Sequence, residues 1–192
     1  LYLPHFDILE MKLLEYKQLV EAHPCDFAAW WDLINCTHEI RDEKQINETY
    51  LNCLKRSKPK LVHEKNEEWR NYIWLWIRCL IFLETSRDYK SLCHSKFEEL
   101  LFNILAPLKT FTFSKIWILY AKYLIRNSST SILENMSWKN VLFQSIQLFP
   151  KKATFKGFIK LLLEMKDFDA AREVYDKYLQ NYPMALDVWT GY

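Results

Sequence analysis

The chain has 192 residues, half of them apolar and 16% aromatic. That excludes a disordered tail, which lacks the apolar surface to offset the entropy of ordering. Its 26 basic and 24 acidic side chains leave a net charge of +2, short of the basic excess that a dedicated nucleic-acid domain carries.

Only Gly157 and Gly191 are glycine, so a sheet-rich fold would be starved of residues for tight hairpin turns. The longest apolar stretch, Ile73 to Leu83, is interrupted by Arg78 and is too short to span a bilayer. Five cysteines without paired spacing suggest a reducing compartment. Leu1 is not an initiator and Tyr192 falls inside an apolar periodic pattern, so the sequence reads as cut from a longer one.

In chain order, Phe6 to Ala22 reads as the second helix of a partial unit (6–22). Pro24 follows it, and Pro59, Pro107, Pro150 and Pro183 likewise follow apolar segments of helical period. A proline just past a helix blocks its continuation, because it lacks an N–H and clashes with the preceding turn. These prolines delimit units 26–59, 67–107, 111–150 and 151–183, with a further partial unit at 184–192. Each unit places an aromatic early: Trp30, Trp76, Trp117, Phe155 and Trp189. Another apolar side chain follows three residues on, at Leu33, Cys79, Tyr120, Phe158 and Tyr192, which puts each pair on one helix face.

The clearest unit is 151–183. Phe155, Phe158, Ile159 and Leu162 form the stripe of its first helix. Asp167 is placed to cap a second helix, with a stripe of Phe168, Ala171, Tyr175, Tyr178, Leu179 and Tyr182. In 111–150 the first helix carries Phe113, Trp117, Tyr120, Ala121 and Leu124, and Ser131 and Glu134 have capping-box spacing. The second helix of 67–107 carries Cys93, Phe97, Leu100, Leu101 and Ile104. One hairpin cannot bury both of its sides, whereas stacked hairpins can. The expected fold is therefore all-α, a superhelical solenoid of antiparallel helix pairs. Its repeat core is Trp30, Trp76, Trp117, Tyr120, Phe155, Phe158, Tyr175, Tyr178 and Trp189.

A first helix with tryptophan and an aromatic three on, a second helix with tyrosine, and a closing proline together resemble the half-a-TPR (HAT) repeat. FTFSKIWILYAKYLIR (111–126), WRNYIWLWIRCLIFLE (69–84), TFKGFIKLLLEMKDFDAAREVYDKYLQNYP (154–183) and EYKQLVEAHPCDFAAWWDL (15–33) resemble the crooked neck family. That resemblance implies a nuclear, non-enzymatic scaffold of pre-mRNA splicing, a component of the Nineteen Complex of the spliceosome. The partners it implies are a second HAT-repeat protein, a Myb-like protein and spliceosomal RNA. In the HAT pattern an acid often follows the first-helix tryptophan by seven residues; here those positions hold Thr37, Leu83, Leu124 and Leu162. Two other readings stand beside this one. One is a HAT scaffold of polyadenylation or ribosomal RNA processing. The other is the α subunit of a protein prenyltransferase, to which NYIWLWIR (71–78) has a passing likeness.

Candidate chemistry is sparse, and no catalytic, cofactor or metal site is expected. His23, Cys25, Cys36 and His38 imitate a zinc set, but Cys36 and His38 are two apart on a helix and point to different faces. Cys93 and His94 are helical neighbours that diverge, as do Glu98 and Glu99. Lys152, Lys156 and Lys160, with Lys151 beside them, form a ridge. The ridge is either a solvated face or a contact for an acidic protein or RNA phosphate. Trp31 and Trp74 neighbour stripe positions without occupying them, so they face either the next repeat or a partner.

Overall fold

The structure is a computed structural model and describes residues 5–60, 67–108, 113–127 and 137–185. Trp189, Tyr192, Ser131 and Glu134 lie outside the described residues. Among the described residues the secondary structure is helical throughout, without a strand.

The helices are α1 (His5–Ala22), α2 (Phe27–Ile40), α3 (Glu43–Arg56), α4 (Glu67–Thr85), α5 (Cys93–Glu98), α6 (Ser114–Arg126), α7 (Trp138–Leu148), α8 (Lys152–Glu164) and α9 (Phe168–Asn181). A 3-10 turn, Lys90–Leu92, leads into α5. A π-helical stretch, Glu99–Leu105, follows it. The chain divides into two compact units, Leu1–Leu100 and Leu101–Tyr192.

In the first unit α2 packs against α1, α3 and α4, and α4 also packs against α3 and α5. Local chemistry sets the helix ends. Asp26 accepts hydrogen bonds from the N–H groups of Ala28 (2.9 Å) and Ala29 (3.2 Å), capping α2. Asp42 caps α3 in the same way, through Lys44 (3.0 Å) and Gln45 (3.4 Å). Between α2 and α3 the turn passes through Arg41, whose φ of 61° is left-handed. Trp30 is 1% exposed, and its indole N–H donates to the Pro24 carbonyl at 2.9 Å, tying α2 to the turn before it. Trp69, Tyr72 and Trp76 of α4 are buried edge to face, with ring centroids 5.7 and 6.4 Å apart. The Tyr72 hydroxyl donates to the Leu54 carbonyl of α3 at 3.0 Å.

The apolar second half of 67–107 departs from a regular α-helix. Leu100, Leu101 and Leu105 are fully buried and Ile104 nearly so, a pattern of adjacent pairs four apart. The wider π-helical turn brings such pairs onto one side, where an α-helix would rotate one member away.

In the second unit α6 packs against α7 and α8, and α8 packs against α7 and α9. Trp117, Tyr120, Phe155, Phe158 and Tyr178 are each 0–1% exposed. Trp117 lies edge to face with Phe102 (5.5 Å), and Phe158 does so with Phe143 (5.1 Å). Phe155 stacks on Tyr178 at 4.9 Å with the rings 7° from parallel. Asp167 caps α9 through the Ala170 N–H (3.2 Å) and also binds Lys139 of α7. The buried stripe of α9 is narrower than the sequence pattern suggests. Ala171, Val174 and Tyr178 are buried, whereas Phe168 is 56% exposed and Tyr175 half-buried. At about 100° per residue, a stripe centred on those three leaves Phe168 and Tyr175 at its edge.

Gly157, mid-helix in α8, sits where α6 comes close. A Cβ there would lie 2.3 Å from Ile118 Cδ1, the tip of a half-buried and therefore movable side chain. Gly157→Ala is expected to fold normally, because the Ile118 tip turns aside and alanine recovers about 1 kcal/mol of helix propensity. Gly157→Val, branched at Cβ, is expected to lower the urea midpoint by forcing α6 and α8 apart. Trp117→Ala is expected to cost about 3–5 kcal/mol, read from urea titration of the 192-residue chain by far-ultraviolet circular dichroism.

Candidate interaction surfaces

The basic ridge lies on α8, with Lys151 at its N-cap and Lys152, Lys156 and Lys160 exposed along one side. The lysines do not act as a uniform stripe. Lys152 turns toward the Tyr182 ring, 5.4 Å from its centroid. Lys156 and Lys160 instead border a groove of about 490 Å³ with Ile159, Leu163 and Tyr175. Glu164 lies on the same groove and pairs with Lys122 of α6 at 3.3 Å. The groove is thus apolar at its floor and mixed in charge at its edge.

The two tryptophans outside the stripe have different surroundings. Trp31 is half-buried, 5.5 Å from Phe27, and its ring carries the Arg78 guanidinium of α4 at 4.3 Å. Trp31 therefore faces the neighbouring first helix. Trp74 is 58% exposed. It lies one turn before Arg78, and Ile81, 53% exposed, lies nearly one turn after it on the same side of α4.

Arg78 connects α4 to α2. Its Nη2 donates to Asn35 Oδ1 at 2.6 Å, and its Nη1 is buried without a hydrogen-bond partner. Arg78 also lines a pocket of about 390 Å³ between α2, α3 and α4, together with His38, Arg41, Glu43, Tyr50 and Ser86. His38 Nε2 and the Tyr50 hydroxyl share a hydrogen bond of 2.9 Å, and the Phe82 ring packs on both. The Ser86 hydroxyl donates to Glu43 Oε2 at 2.5 Å. Burial, reinforced by the Arg78 charge, holds His38 below its ordinary pKa, and burial pushes the Tyr50 phenol up. Sequence patterns gave no sign of this pocket, because Arg78 of α4 meets His38 of α2 and Tyr50 of α3 only in the fold.

The zinc-like residues do not converge. Cys36 Sγ points to the Leu9 carbonyl (3.5 Å), His38 faces Tyr50, and Cys25 is exposed. Among the described residues no three metal-ligating side chains come together. Cys93 Sγ points to the Leu80 carbonyl (3.6 Å), while His94 lies 3.7 Å from Glu98. Burial pushes the Cys53 and Cys79 thiols up to about 12, so both stay protonated at neutral pH.

The chain is 35% identical over 179 residues to pre-mRNA-splicing factor CLF1 of Saccharomyces cerevisiae, a match covering 93% of this chain. It is 40% identical over 177 residues, 92% of the chain, to the protein of the same name from Candida glabrata. Beyond the yeasts it is 31% identical over 182 residues, 95% of the chain, to the Drosophila melanogaster protein crooked neck. This chain belongs to the crooked neck family. It spans about a quarter of these relatives' own lengths: 25% of the baker's yeast protein, 24% of the Candida protein and 24% of Drosophila crooked neck. No family model matches it. In this crooked neck family segment first helices lie against one another, α2 against α4 and α6 against α8.

The His38 environment sets a pH dependence. The folded-state pKa lies below the unfolded value of 6.5, so the unfolded chain binds more protons as pH falls. The stability this group contributes is present above the unfolded pKa and is lost on acidification below it. Asp167, held low chiefly by its hydrogen bond to Lys139, acts in a separate window, its contribution being lost as pH falls from the ordinary carboxylate value through its lowered one. Thermal midpoints are expected to fall between about pH 7 and pH 5, and His38→Gln is expected to flatten that slope.

Proposed function

We propose that this chain is a protein-binding segment of a nuclear, non-catalytic scaffold required for pre-mRNA splicing. The observation that carries the reading is the similarity, over more than nine-tenths of the chain, to several proteins named pre-mRNA-splicing factors. In this reading the helix pairs are HAT units at about 26–59, 67–107, 111–150 and 151–183, stacked as a solenoid. Its partners are components of the Nineteen Complex, among them a second HAT-repeat protein and a Myb-like protein, with spliceosomal RNA as a further contact. Lys151, Lys152, Lys156, Lys160, Trp31 and Trp74 are the proposed contact residues.

The physical argument for a scaffold is surface. A stacked array offers a long face on which several modest contacts act together, and linked contacts gain avidity without any single tight site. Protonated, buried thiols and diverging acids suit a binding role better than a reaction.

Depletion of the full-length protein is expected to leave introns unremoved across many transcripts before other RNA processing fails. Transcript sequencing over a depletion time course checks this. Early failure of 3′-end cleavage or of ribosomal RNA maturation, with splicing intact, would move the scaffold to those pathways.

A further inference from the structure

We propose that the pocket between α2, α3 and α4 docks a carboxylate side chain, an Asp or Glu flanked by apolar residues on a partner protein. This deepens the scaffold reading and rests on it for the partner's setting.

The Arg78 guanidinium is fixed before any partner arrives. Asn35 holds one edge at 2.6 Å and Trp31 covers one face at 4.3 Å. A planar donor held this way loses little freedom when an anion binds it. Yet no carboxylate among the described residues lies within ion-pair distance of Arg78, whose guanidinium lines the pocket beside Tyr50. A cation that lines an open pocket without a carboxylate partner offers an incoming carboxylate a charge-assisted hydrogen bond. Arg41, exposed at the rim, adds a second positive charge.

The surroundings favour a peptide over a nucleic-acid backbone. Two arginines with a carboxylate, Glu43, among them suit one anion and would oppose a run of phosphates. Trp74 and Ile81 flank Arg78 on α4 at 58% and 53% exposure, offering apolar anchors on both sides of the charge.

The test places a photo-crosslinking amino acid at Ile81 of the full-length protein and reads the captured segment by mass spectrometry from the intact assembly. The expected capture is a protein segment with Asp or Glu within a few residues of the attachment point. Arg78→Gln is expected to lower its yield about tenfold, the loss of a charge-assisted hydrogen bond. Arg41→Asn is expected to lower it about threefold, as for a rim charge. Asparagine tolerates the left-handed backbone at position 41, so this second variant tests the pocket even if Arg78→Gln unfolds. Capture of RNA, of a segment without a nearby acid, or of nothing overturns the proposal, as does a yield that neither variant changes. The splicing reading fails separately. If depletion leaves splicing intact while the acidic segment is still captured, the pocket stands and its setting falls.

Discussion

Each first helix has to bury a bulky aromatic that its own hairpin cannot enclose. Trp30, Trp76, Trp117 and Phe155 are all 0–1% exposed, and α2 reaches that state only by touching α1, α3 and α4 together. Rings of this size contribute most of the apolar area at a helix contact, and they pack edge to face or stacked. The division of labour among the helices follows from that demand. α4 buries nine side chains, from Trp69 to Leu83, whereas α9 buries only Ala171, Val174 and Tyr178. The helix that serves several neighbours is apolar over a broad arc, and the helix that closes a pair keeps one narrow stripe.

Close stacking also needs tight turns, and the chain makes them almost without glycine. Two of its hairpins use the same device, a basic residue in the left-handed region followed by an aspartate N-cap. These are Arg41 with Asp42 before α3, and Lys166 with Asp167 before α9. A left-handed residue other than glycine costs roughly 1–2 kcal/mol. A good N-cap returns about 1 kcal/mol, so the turn is close to neutral and leaves direction to the packing. Arg87 and Asp88 repeat the dipeptide in the third hairpin, but Arg87 is not left-handed there. The Ser86 hydroxyl accepts the Tyr89 N–H at 3.1 Å instead, and a 3-10 turn begins at Lys90.

What was legible in the sequence was whatever repeats along the chain. Prolines past helix ends and aromatics with an apolar partner three residues on marked the helix pairs, because both report periods of one turn or one unit. Three features escaped for physical reasons. The π-helical stretch at Glu99–Leu105 has the same apolar richness as an α-helix, and only its pairing of Leu100 with Leu101 and Ile104 with Leu105 betrays the wider turn. Phe168 and Tyr175 fit the apolar stripe by spacing, but the buried stripe is centred on Ala171, Val174 and Tyr178 and leaves them at its edge. The polar pocket depends on Asn35 meeting Arg78 and His38 meeting Tyr50 across helices, and such contacts leave no local pattern.

That last class of contact bears on how the proposed scaffold would work. The Arg78 site does not exist on α4 alone, since Trp31 and Asn35 of α2 complete it and Tyr50 of α3 closes it. An anion that binds there binds only the stacked arrangement of these helices. By linkage, anything that binds the stacked state and not the open one stabilises stacking by the same free energy. Stacking and partner binding are then two sides of one equilibrium, and a contact on one hairpin is felt by its neighbour without any change of shape. For a repeat protein, whose stability is a sum of unit and nearest-neighbour terms, that coupling is local by construction. On the proposed reading, each seam between first helices would carry its own partner contact, and the surface that held a partner would also be the joint that the partner strengthened.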